Sequence, residues 1–130
     1  MYTDLTSVLD EIKRADLPGF DGVPLHPNAQ STPFGETPLH VVAIWGHADA
    51  IRILLDAGAD IDARGEFDFT PLHEAIGQGH WDAVRLLISR GASLTIKNEW
   101  GDDAAALASR GENEEIVKLI QLKLAESGKV

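Results

Sequence analysis

Apolar positions along this chain come in short bursts at helical spacing, separated by glycine, proline and acidic residues. Leu5, Val8, Leu9 and Ile12 form a first stripe, with Asp4, Asp10, Glu11, Lys13 and Arg14 on the other side. That spacing predicts one amphipathic helix over residues 3–15. Ile51, Ile53, Leu54 and Leu55, and then Val84, Leu86, Leu87 and Ile88, are near-continuous apolar runs. Such runs suit helices buried between neighbours. Ile116, Val117, Ile120 and Leu124 give a last stripe, with Lys118, Gln121 and Lys123 mostly opposite it.

The bursts recur. Thr37-Pro38-Leu39-His40 returns as Thr70-Pro71-Leu72-His73, an offset of 33 residues. The same offset leads from Thr70 to Asp103, where an eroded copy reads Asp103-Ala104-Ala105-Ala106-Leu107-Ala108. The fixed small position falls at Val42, Ala75 and Ala108. A period of this size marks supersecondary units that cannot bury their apolar faces alone and must stack. Thr37 and Thr70 are predicted N-caps with Pro38 and Pro71 at the first helical position. Gly46-His47 and Gly79-His80 break each first helix, and Gly58 and Gly91 end each second helix.

The T-P-L-H-x-A pattern at this period resembles the ankyrin repeat. The resemblance implies an all-α fold, an ankyrin-repeat solenoid of helix-turn-helix units with projecting β-hairpin-like loops. It divides the chain into a capping helix over 3–15, a loop over 16–36, repeats over 37–69 and 70–102, and a C-terminal capping repeat over 103–125. Gln121 stands where Leu55 and Ile88 stand in the other units, as expected where no further unit follows. The 16–36 segment is rich in proline and glycine. Its Val23-Pro24-Leu25-His26 mimics the repeat motif but leaves no room for two helices before Thr37.

Composition narrows the function. With 130 residues, 44% apolar and 25% charged, the chain reads as one soluble globular domain. It has no cysteine, so disulfides and thiolate metal sites are excluded. The N-terminus has no secretory pattern, and no apolar stretch is long enough to span a bilayer. A cytoplasmic, monomeric protein is expected. The net charge of −10 disfavours nucleic acid and anionic lipid and favours a basic protein partner.

Little in the chain points to chemistry. Four of five histidines form equivalent pairs, His40 with His73 and His47 with His80. The resemblance gives the first pair a hydrogen-bonding role between units. No H-E-x-x-H, C-x-x-C, G-x-S-x-G or phosphate-binding loop occurs. Asp60 and Asp62 read as turn residues. No catalytic residue, cofactor or metal is expected.

The aromatics carry the functional signal. Phe34, Phe67 and Trp100 are equivalent at offsets of 33, and the resemblance puts this position at the exposed tip of each loop. Phe69 lies two residues beyond Phe67, and Trp45 ends a first helix on the concave face. Glu36, Glu66, Glu99, Asp102, Arg64, Lys97, Arg110 and Gln78 complete the expected partner-binding set. Exposed rings in a row mark an interface, because aromatic residues dominate binding hot spots. The expected function is a non-catalytic protein-binding module, in its sharpest form an inhibitor or immunity-type protein masking a basic toxin or enzyme. The rival reading is a self-associating scaffold.

Overall fold

The computed structural model describes residues 2–15, 26–28 and 35–128. Within them lie seven helices and no strand: α1 (Leu5–Arg14), α2 (Pro38–Trp45), α3 (Ala48–Asp56), α4 (Pro71–Gln78), α5 (Trp81–Ser89), α6 (Ala104–Arg110) and α7 (Glu114–Glu126). The helices stack in two layers. In one, α2 packs on α4 and α4 on α6; in the other, α1, α3, α5 and α7 follow one another. Within each unit the two layers join through α2–α3, α4–α5 and α6–α7. Hence α1 takes the place of a second helix in the stack. Twenty-three residues separate α1 from α2, against fourteen in each of the α3–α4 and α5–α6 connections.

Local chemistry starts each helix. The Thr37 hydroxyl accepts from the His40 backbone N–H and the Thr70 hydroxyl from that of His73, with Pro38 and Pro71 just inside. Asp4, Asp103 and Asn113 cap α1, α6 and α7 in the same manner. The α3 helix stops in a Schellman arrangement, with Ala59 N–H on the Leu54 carbonyl and Gly58 N–H on that of Leu55. Ala92 and Gly91 repeat it on Leu87 and Ile88.

The core is the seam between the layers. Val8, Ile12, Leu39, Ile51, Leu54, Leu72, Leu87, Ile116 and Ile120 are fully buried there. Burying each such side chain stabilises the fold by about 1.5–3 kcal/mol. Trp81 packs against this core, half-buried, and covers Gly111. Gln121 is exposed on α7.

Two buried histidines tie the units together. His40 Nδ1 accepts from the Thr37 N–H at 3.1 Å, so its Nε2 carries the proton and donates to the Phe69 carbonyl at 2.8 Å. His73 does the same between Thr70 and the Asp102 carbonyl, at 2.9 and 3.1 Å. Burial holds both imidazoles below the usual histidine range, against the hydrogen bonds to backbone carbonyls that favour the charged form. The Asp62 carboxylate accepts from the Ser93 N–H of the next unit. Asn28 bridges forward too, giving its amide N–H to the Gly58 carbonyl and accepting from the Asp60 N–H. The 26–28 stretch is thus seated on the α3–α4 connection.

The projecting loops differ in one respect from β-hairpins. The described tips are closed by Gly65 N–H to the Phe69 carbonyl and Asn98 N–H to that of Asp102, with turn bonds inside them (Asp68 N–H to the Gly65 carbonyl, Gly101 N–H to that of Asn98) and no ladder of paired residues. Three residues between each closing pair leave no length for a strand.

Candidate functional site

The two described loop tips stand side by side. Their outer residues are Phe67 and Trp100, 49% and 63% exposed. Among the described residues the only other large apolar side chain so exposed is Leu122, on α7. The Phe67 and Trp100 rings meet at a centroid distance of 5.0 Å. Phe69 lies edge-on to Trp100 at 6.0 Å, and its other side meets the His73 ring at 5.7 Å. A backbone bond joins the tips, Glu99 N–H to the Phe67 carbonyl at 2.9 Å.

The two tips are built differently. Gly35, Asp68 and Gly101 are equivalent positions, and all three have positive φ: 77°, 60° and 81°. Asp68 therefore occupies a glycine conformation. Phe67 joins it in the left-handed region, at φ 57° within a single 3-10 turn over Glu66–Asp68. For a bulky residue this costs about 1–2 kcal/mol. In the second tip, the Asn98 side chain instead accepts from both the Trp100 and Asp102 N–H groups at 3.0 Å. Its counterpart is Gly65, where a Cβ would stand 2.9 Å from the Glu36 Oε2 and 3.0 Å from His40 Nε2. The missing side chain leaves room for the Glu36 carboxylate, whose Oε1 accepts from the Glu66 N–H at 3.3 Å.

Three carboxylates from three elements act on one another: Glu36 before α2, Glu66 in the first tip and Glu74 in the first turn of α4. Burial is the main force on Glu74 and pushes it up to about 7, with the negative charges of Glu36 and Glu66 adding to the effect. Glu36 is raised as well, first by burial and then by Glu66, against the backbone hydrogen bond that favours its charged form.

The remaining expected site residues divide clearly. Asp102 and Arg110 are engaged with each other in a two-pronged pair at 2.7 and 2.8 Å, which holds the Asp102 carboxyl below its usual range. Arg64 stands 3.9 Å from Asp68, both exposed. Lys97, Glu99 and Gln78 are exposed, the last at the end of α4. Trp45 is half-buried, packs against the core and meets the His47 ring at 5.7 Å, well apart in the chain from the loop tips. His47 in turn accepts or donates at Tyr2 Oη, 3.0 Å away. Phe34 lies outside the described residues.

Sequence reading named Glu36 and Glu66 but not Glu74 as a site residue. The missing signal was burial, which gives Glu74 its altered proton affinity. Asp68 is absent from the expected set, although its register with Gly35 and Gly101 is visible in the chain. Among the described residues no group of three or more His, Asp or Glu side chains is arranged to hold a metal ion. None of the described helices is long and apolar enough to cross a membrane.

A family model described as ankyrin repeats (three copies) matches residues 17–98. That span takes in α2 to α5 and the segment before Thr37, and stops ahead of α6 and α7. No curated protein matches the chain.

Proposed function

This chain belongs to the ankyrin-repeat family, whose members generally mediate protein–protein interaction, and we propose that it binds one partner protein through its loop tips and the adjoining first-helix surface. The family is typically non-catalytic, and the proposed action is occupation of a surface rather than chemistry. The observation that carries this reading is the exposed pair of Phe67 and Trp100 on successive tips, their rings in tilted contact. Core packing makes no demand for large rings there. Two rings fixed by contact with each other and by the bond between tips lose little freedom on docking, which favours affinity. We assign Lys97, Glu99, Gln78 and Arg64 to the polar surround of these rings and Trp45 to the adjoining first-helix surface.

In its sharper form the proposal is that the partner is basic and that binding masks it, as an inhibitor or immunity-type protein would. The net charge of −10 supports this, since opposite charge speeds encounter. The test is capture from the native lysate by the chain and by a Phe67→Ala/Trp100→Ala form. A single stoichiometric partner, lost with the double variant, is the expected result. Equal capture by both baits sinks the loop-tip assignment. Binding without loss of the partner's activity at equimolar ratio sinks the inhibitor form. A mass in solution that rises with concentration, and falls back with the variant, would turn the reading to self-association.

A further inference from the structure

We infer that the exposed face of Trp100, with Phe67 against it, receives an arginine side chain of the bound protein. This rests on the loop-tip reading above and names what the tips recognise.

Three observations combine. First, the rings are held rather than merely exposed. Phe67 sits in a backbone conformation that bulky residues avoid, and its carbonyl is tied to the Glu99 N–H. A strained residue kept in place by its surroundings is a mark of a functional position. Second, the flanking charge is negative. Glu66 and Asp68 bracket Phe67, and Glu99 precedes Trp100. Third, two of the three local cations are engaged, Arg110 by Asp102 and Arg64 at 3.9 Å from Asp68, while Glu66, Glu99 and the exposed Lys97 form no ion pair among the described residues, so the acidic side chains outnumber the one cation left over.

The chemistry of the guest follows from these. A purely apolar side chain laid on Trp100 would strip water from the neighbouring carboxylates and return nothing to them. A lysine ammonium answers the charge, but it is strongly hydrated and has no plane to stack. A guanidinium does both, lying flat on the indole face while its N–H groups reach the carboxylates. The ring centroids at 5.0 and 6.0 Å leave no gap between rings for a cation, so the geometry is a ledge and not a cage.

The test uses random linear peptides displayed on phage and selected against the purified chain. Expected are ligands sharing one arginine, with affinity falling about tenfold when that arginine becomes lysine. Trp100→Leu, which keeps an apolar side chain, should lose the arginine preference, while Trp100→Phe keeps most of it. Glu66→Gln/Glu99→Gln should weaken binding and flatten its dependence on salt. Circular dichroism checks that each variant is folded. Ligands anchored by leucine or phenylalanine that still lose binding in Trp100→Leu would overturn the arginine assignment and leave the loop-tip reading standing. Ligands indifferent to Trp100, or no enriched ligand, would overturn both.

Discussion

Replacing Glu74 with glutamine should stabilise this protein at alkaline pH and leave it unchanged in acid. The side chain is held at a proton affinity of about 7, against 4.5 for an ordinary glutamate, mainly by burial beside Glu36 and Glu66. Folding therefore favours its neutral form. The stability this contributes is fully present below pH 4.5 and is lost as pH rises through 7. Glutamine imitates the neutral form at every pH. A difference of this size corresponds to roughly 3 kcal/mol at 1.36 kcal/mol per unit. Glu74 is half-buried and reached by solvent, which screens it, so about 1–2 kcal/mol is the expected gain at pH 8. In a domain of this length that is a rise in Tm of about 3–8 °C.

The assay is urea unfolding of both proteins by circular dichroism, at intervals from pH 4.5 to 8.5. All other titrating groups are common to the pair, so the difference isolates this site. The expected curve is near zero at pH 4.5, climbs between pH 5 and 7 and is flat above 7.5. A second pair carrying Glu36→Gln should show a smaller gain, because one repelling charge is gone. If the difference is independent of pH, or if glutamine is the less stable at pH 8, then Glu74 is not held neutral by its surroundings and the interaction among the three carboxylates has no energetic meaning.

Three further outcomes follow from the packing. A Cβ on Gly46 would stand 2.5 Å from the His80 ring, which is pinned by its bond to the Ile44 carbonyl, and the backbone there is left-handed at φ 76°. Gly46→Ala should cost about 2–3 kcal/mol in urea unfolding, against about 1 kcal/mol for Gly58→Ala, which meets no atom within 4 Å; equal costs would refute the clash. Asp68→Gly should hold stability or add about 0.5 kcal/mol, while Asp68→Val should lose about 1–2 kcal/mol at φ 60°; an unaffected valine variant would show that the tip relaxes freely. His40 and His73 have lowered proton affinities, so the unfolded chain binds their protons first and stability falls as pH drops below the ordinary histidine value of 6.5. His73→Gln should lose less stability than the native chain between pH 7.5 and 5.5, and a parallel loss in both would remove that histidine from the acid response.

Much of the architecture was legible because it rests on local chemistry repeated at a fixed period. Thr37 and Thr70 cap helices through their own hydroxyls, and the Pro-Leu-His that follows each needs no distant partner to start a helix. The His40 and His73 pairing was readable through resemblance, since a backbone carbonyl 29 residues on always meets the same ring in such a stack. The loop tips were less legible. Their register could be counted, but the hairpin form expected of them reduced to tight turns. The shift of Phe67 into the left-handed region has no signature in its own residue type.

The candidate site shows the same division. Equivalence at 33 residues was enough to set Phe67 and Trp100 on neighbouring tips. That their rings touch depends on a bond between tips and on a strained turn, both of which arise only when the units stack. Asp102 and Arg110 are both recognition candidates in the chain, and only the fold shows that they form an ion pair with each other. Glu36 and Glu74 come from different units, and the burial of each, with Glu66 beside them, arises only when those units meet; Glu36 fills the space that Gly65 leaves open. The chain alone determined the units, their caps and their order, because those depend on neighbours within a few residues. Only the tertiary structure decided which charges are masked, which rings are presented and which carboxylate holds its proton, because burial and repulsion belong to residues brought together from different units.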